Sequence, residues 1–532
     1  MIVLDSFAVR KVWVASLILL STVESFTIPL GNADSLAIQS RQSFAGVGPA
    51  RQKSHSGATR TYDASSRHQR SYSQQQTRNI LYQSASNGIA GPNDNDQPNR
   101  NSAMEQKSTS ASRLSRISII NAALLIAGTT VGGGFLALPT VVAPTGFFPA
   151  ACTLTGVWAF LGIQSLCVVE SLLHARQRRL QNQQSTNGSK SENTDYNPGV
   201  AAAAQSALGK RGETLVVALL VTLMEATLVS QISRAGTLLG SSTGGYRASC
   251  ALSALSVAAL VFSGPTRRLV PFFNSALTIV FCIVAFSLFQ TGAPAADWSR
   301  LAHSSNWSAV GGSLPTFLQL LVYAEILPTV CRMLQYQIQP IRWAILLGSF
   351  LPLGLEVGWA ALGMGLVPLG TKGDPVDVLL ASGPVQQPLL VLAIAAILTT
   401  IIGTYLALQS TANDLWAKVH NKASELKENV TPWKQNMAEV IAIVIPALAI
   451  ACISPTVFLR AIDFAGSYPV LLLWGILPPV LCLRQRQRGS SSVRILPGAV
   501  LRSSLALSMG LFLSFATPDL AFLVGKLKSL FE

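Results

Sequence analysis

The sequence predicts an all-α integral membrane protein with eleven transmembrane helices, the first and sixth of them interrupted. Three observations carry this expectation. The 532-residue chain is 49% hydrophobic and only 12% charged, where soluble domains run at about 25% charged. After Ser115, apolar runs recur at regular intervals, most with about 20 apolar-dominated residues, the length that crosses a hydrocarbon core as helix. Finally, the stretch GTTVGGGFLALP, residues 128–139, sets four glycines and two threonines inside one such run and a proline soon after.

Two segments precede the spans. Residues 1–25 read as a signal peptide, because Arg10 and Lys11 precede a 12-residue apolar run too short to span comfortably. Residues 26–116 are rich in Ser, Gln, Asn and Arg, carry 11 Lys+Arg against 5 Asp+Glu, and lack apolar periodicity. Such a composition predicts disorder. The pair resembles the bipartite plastid-targeting leader of algae with secondary plastids, in which a Phe opens the transit part, as Phe26 does. A signal anchor with a disordered cytoplasmic tail is the alternative, and it implies an endomembrane or the plasma membrane.

The spans fall near 117–142, 146–173, 213–240, 248–264, 269–290, 314–336, 341–367, 386–412, 437–455, 464–483 and 502–525, leaving 526–532 as a tail. Lys and Arg test the count, since they concentrate on the inner side. With the N-terminus inside, inner segments hold 23 and outer segments 6. A wrong count would scramble that alternation. The basic residues thus belong to connectors, with no basic face interleaved with aromatics, so the net charge of +15 does not signal nucleic acid. Asn306-Trp-Ser is a glycosylation sequon on an expected outer loop. The seven cysteines lie in or beside apolar runs without CxxC spacing and read as buried thiols.

The first span should break at its glycines. Backbone polar groups in hydrocarbon must be hydrogen-bonded, so unwound chain survives only where it lines a cavity. Gly128, Gly132, Gly133 and Gly134 disfavour helix and let a ligand approach the main chain. A helix restarting at Phe135–Leu138, with Pro139 in its first turns, points its amides into the gap, where a carboxylate is the natural guest. Thr129 and Thr130 add hydroxyls. Tight helix packing is the competing explanation, but three consecutive glycines exceed what it needs. Five spans later, span six contains VYAEILP: Pro328 removes a helical hydrogen bond at mid-membrane, with Glu325 within one turn. Interruptions in corresponding members of two five-helix halves point to a midplane binding site in an inverted-repeat carrier.

Ionisable groups at that depth cost about 2.5–3.5 kcal/mol and are functional candidates by default. Glu325 is the foremost, as a partner for a substrate ammonium, a carrier of a coupling proton, or both. Glu225 in span three and Glu356 in span seven are further proton-coupling candidates, equally suited to structural pairing in the bundle. Arg234 is expected to reach an aqueous edge; Glu170, Asp414 and Asp463 sit near span ends. Thr399 and Thr400 in span eight suit a cation site with the unwound carbonyls, although threonines in helices commonly bond their own backbone. Only five histidines occur, none of them mid-span, and no HExxH, nucleophile elbow or P-loop is present. Neither an enzyme, a resident metal nor a cofactor is expected. Paired breaks also argue against a channel.

Several segments resemble the tryptophan/tyrosine permease family. They are GTTVGGGFLALPTVVAPTGFFP in span one, LVSQISRAG in span three, LPTVCRMLQ and IRWAILLGSFLPL in spans six and seven, and residues 454–486 late in the chain. The resemblance covers roughly 115–520. It implies a leucine-transporter-like five-plus-five inverted repeat plus one helix, and proton-coupled symport of amino acids, aromatic ones above all. It further implies that the main chain of 128–134 holds the substrate carboxylate and that Tyr323, Ala324 and Glu325 help hold the amine. Plant-type relatives commonly carry Phe-His-Asn at those three positions, and this departure bears on substrate identity and coupling. The implied partners are an amino acid, protons and the lipid bilayer. A non-transporting sensor on the same fold and a carrier for other neutral amino acids are the alternatives.

Overall fold

The computed structural model describes residues 116–186, 198–240, 244–262, 270–302, 305–368, 374–381, 383, 385–423, 432–488 and 493–531. The expected signal peptide and nearly all of the segment to 116 lie outside these residues. The described chain is helical, without a strand.

α1, Arg116–Thr130, carries no charged residue after Arg116 and unwinds at Val131 and Gly132. A 3₁₀ turn, Gly133–Ala137, leads into α2, Leu138–Val142, and the two helical parts meet at a bend of 46°. Pro139 lies in the first turn of α2, where its missing N–H costs nothing. Gly146, at φ +83°, turns the chain into α3, Phe147–Thr186. The short α4, Val200–Leu208, precedes α5, Lys210–Leu239, which is continuously buried over residues 228–236. α6, Tyr246–Phe262, and α7, Val270–Gly292, follow.

The sixth apolar run is broken as well, though not where its proline predicts. α8, Val310–Leu320, gives way to irregular chain at Leu321–Tyr323, a 3₁₀ turn at Ala324–Ile326, and α9, Leu327–Met333. Pro328 stands in the first turn of α9, where there is no helical hydrogen bond to lose, so it marks the edge of the interruption. α10, Ile338–Leu366, the short α11, Pro375–Ala381, α12, Gln386–Ala423, and α13, Pro432–Ala451, come next. α14, Val457–Ala465, runs through a π-helical stretch, Gly466–Ile476, into α15, Leu477–Gln487. α16, Gly498–Phe531, continues past the span end expected at 525.

Among the described residues, seven helical stretches, those of α8–α9 and α14–α15 each counted as one, are long and apolar enough to cross a membrane, and the bent α1–α2 pair brings the number to eight if it is one span. α6, α7 and α13 stand at the expected fourth, fifth and ninth spans. Side chains on the outer faces of α6, α7 and α10, such as Leu252, Ile283 and Phe350, are exposed, as lipid-facing residues must be. Inside, α1 packs along α10, α7 along α12, and α14 along α5. Close crossings rely on glycine: a Cβ on Gly466 would come within 1.8 Å of the Pro315 carbonyl oxygen of α8.

Of the acids expected at span ends, the side chain of Asp414 lies outside the described residues, and Glu170 has structural partners. Glu170 is fully buried and accepts from Arg486 Nε and Nη2, at 2.6 and 2.8 Å, and from the Ile495 amide at 2.8 Å, tying α3 to α15 and the segment before α16.

Candidate functional site

The two breaks lie together. α1 touches the 3₁₀ turn at 324–326, and the turn at 133–137 touches α8, α5 and α12. The Gly133 amide donates to Thr400 Oγ1 of α12 at 2.9 Å. That bond supplies one of the acceptors an unwound segment needs in an apolar interior. Thr400 also donates to the Ala396 carbonyl oxygen at 2.8 Å, so its hydroxyl bridges two helices. Thr399 donates to the Ala395 and Ala396 carbonyl oxygens of its own helix.

Each of the three consecutive glycines meets something specific. A Cβ on Gly133 would fall 1.7 Å from Gln231 Oε1 of α5; on Gly134, 2.7 Å from Leu320 Cδ2; on Gly132, 2.8 Å from Thr400 Oγ1. The triple glycine therefore admits three neighbouring helices to the main chain. Gly128 alone faces open space, and it and Thr129 are exposed. The hydroxyls of Thr129 and Thr130 do not point into the gap as donors. Thr129 donates to Leu125 and Ile126, and Thr130 to Ile126, because the free carbonyls of the ending helix are nearer.

At the second break, Tyr323 and Ala324 are buried, with the Tyr323 hydroxyl beside Ser165 and Ser349. Glu325 is exposed on its 3₁₀ turn. Glu225 neighbours Tyr405 of α12, and its Oε2 is buried without a hydrogen-bond partner. Glu356, 2% exposed, has an unpartnered Oε2 too. Both carboxyls lie on helices flanking the breaks, on α5 and α10. Among the described residues no cluster of His, Cys, Asp or Glu has the makings of a metal site.

Three features escaped sequence reasoning. Gln231 is buried against Gly133 with Oε1 unpartnered, and Gln319 of α8 donates to Thr227 of α5 at 3.2 Å. Their only sequence signal is the polar series Thr227, Gln231, Arg234 on one face of α5. Trp359 of α10 stacks on Phe135 at 5.2 Å and donates to its carbonyl oxygen at 3.1 Å, clamping the turn after the first break. Arg234 does not reach water: it is 2% exposed and pairs with Asp374 at 2.9 Å and Asp377 at 3.4 Å. Asp374 accepts from Thr140 of α2 at 2.6 Å as well. Burial pushes the Asp377 carboxyl up, against the pull of Arg234. This latch joins α2, α5 and the segment before α12 on the α2 side of the break. The exposed Gly128 and Thr129 lie on the α1 side.

Known proteins match this chain along most of its length. The tyrosine-specific transport system 2 of Haemophilus influenzae is 25% identical over 428 residues, covering 76% of this chain and 95% of that protein. The tyrosine-specific transport system 1 of the same organism is 22% identical over 383 residues, covering 67% and 87%. The crystal structure of MhsT in complex with L-phenylalanine matches with a TM-score of 0.45 and 15% identity, covering 76% of this chain and 98% of that one. The pattern that defines the tryptophan/tyrosine permease family matches residues 115–517, well over half of the chain and including both breaks. The chain therefore belongs to the tryptophan/tyrosine permease family, and it is a multi-pass membrane permease for amino acids rather than an enzyme.

Proposed function

We propose that the protein is a proton-coupled symporter of aromatic amino acids, tyrosine or tryptophan, working by alternating access. The observation that carries this reading is the meeting of two helix breaks, in α1–α2 and α8–α9, five spans apart in the expected order. Unwound main chain beside the N-terminus of a restarted helix suits a carboxylate. The main chain of 128–134 receives the substrate carboxylate, and Tyr323, Ala324 and Glu325 receive its amine. Glu325 carries the coupling proton, with Glu225 and Glu356 as second-line acids. The tyrosine-specific transport systems among the relatives support an aromatic substrate.

Eleven spans in a five-plus-five inverted repeat fit the element order, with spans one and six moving against spans three and eight. Exposure of Gly128, Thr129 and Glu325, with the Arg234–Asp374 latch closed on the other side of the break, suits a conformation open to the inside. The leader of residues 1–116 supports delivery to a plastid membrane.

The test is uptake of labelled tyrosine, tryptophan and phenylalanine into liposomes carrying the full chain, with and without an inward proton gradient. Gradient-dependent accumulation of tyrosine or tryptophan is expected. Binding without flux under any gradient would instead identify an amino-acid sensor. In Glu325→Gln, pH-driven accumulation should collapse while exchange of internal for external substrate persists; unchanged pH dependence removes Glu325 from the proton path.

A further inference from the structure

A second polar site lies away from the breaks. At the α2 end of the first span, a pocket of about 330 Å³ opens between Val141, Pro144, Ser313, Thr316, Arg460 and Asp463. That is the lower end of the range for small-molecule sites, about 300–1,000 Å³. The pocket adjoins the Arg234 latch: Thr140 precedes Val141 in the chain, and the Arg234 guanidinium lies 5.2 Å from the Phe458 ring, two residues before Arg460. Arg460 and Asp463 stand three apart on α14, so they project from neighbouring positions of one helix face.

The two charges are set up differently. Arg460 Nη1 is buried and has no hydrogen-bond partner. A charged donor held that way is costly unless an acceptor arrives. Asp463 accepts from Thr316 Oγ1 at 3.3 Å and is exposed, so its carboxylate brings negative charge to the pocket mouth. Ser313 donates to the Val141 carbonyl oxygen at 3.0 Å, which holds α8 to the first span along the pocket wall. The pocket thus offers one cationic donor, one anionic acceptor a helical turn away, and an apolar wall of Val141, Pro144 and Leu459.

We propose that this pocket is a second binding site for a zwitterionic α-amino acid, with the carboxylate on Arg460, the ammonium on Asp463 and the side chain against the apolar wall. It is separate from the site at the breaks, and it holds substrate while the latch below it is closed. The identity of its ligand rests on the transport reading given above.

Equilibrium binding of labelled tyrosine to the purified full-length protein tests it. The wild type should bind two molecules per chain, Arg460→Gln one, and Gly133→Leu one. Asp463→Asn should weaken the second site at least tenfold. Retention of one molecule by Arg460→Gln reports that this variant is folded. A single site in the wild type that survives Arg460→Gln and is lost in Gly133→Leu overturns the second site and leaves the transport reading standing. No binding of tyrosine, tryptophan or phenylalanine by the wild type overturns both.

Discussion

At the scale of single residues, the first break is held by contacts that leave no room for a side chain. Gly133→Leu should abolish uptake while the protein still inserts and folds in membrane, because the added atoms enter space that Gln231 occupies, at the main chain proposed to receive the substrate carboxylate. Even Gly133→Ala collides with Gln231 Oε1. The double variant Gly133→Ala with Gln231→Ala should therefore recover part of the uptake that the single glycine change loses. Initial uptake rates of the four proteins in the cycle measure this, and strict additivity would show that the contact is not what matters. Thr400→Val keeps shape but strips the acceptor from the Gly133 amide. An unsatisfied buried N–H costs about 1–3 kcal/mol, so thermal unfolding in detergent should shift down, with uptake reduced as the break loosens.

At the scale of elements, each broken span restarts with a proline in the first turn of its second half, and neither proline makes the break. Span one opens at glycine; span six opens at Leu321–Tyr323, three ordinary residues whose unwinding no local propensity announces. The 3₁₀ turn that follows, Ala324–Ile326, touches α1 and α3. The latch between Arg234 and Asp374 acts between elements too. Asp374→Leu leaves a 2%-exposed guanidinium without its nearest carboxylate. The loss should be on the order of 3 kcal/mol, reduced by the water that already reaches the 21%-exposed Asp374. Arg234→Leu combined with Asp374→Leu should unfold at a higher temperature than Asp374→Leu alone, since no charge is stranded. The reverse order would mean that the pair contributes little to holding the α2 side shut.

At the scale of the whole molecule, the basic residues in connectors predict which end faces which compartment. A cysteine placed at Ser299 should react with an impermeant maleimide from outside. One placed at Arg488 should react only after permeabilisation. Both probes sit in connectors between helices, so their chemistry reports topology. Equal labelling of the two sites would contradict the assigned orientation.

Much of this was legible in the residues themselves. Length, hydropathy and the placing of Lys and Arg are additive properties of the chain, and they determined a helical membrane protein, because a bilayer penalises each polar group independently, while the glycines of 128–134 determined the first break. Gly132 to Gly134 and Glu325 are candidates from local patterns alone, whereas Tyr323 and Ala324 enter only through the family resemblance. What those residues touch is not additive. That Thr129 and Thr130 turn back to their own helix depends on where that helix ends, and that Gln231 fills the space beside Gly133, that Thr400 spends its oxygen on a main-chain amide and that Arg234 is buried on Asp374 depend on helix rotation and on partners far away in the chain. Helix rotation in an apolar solvent is decided by packing between helices, and only the tertiary structure fixes it.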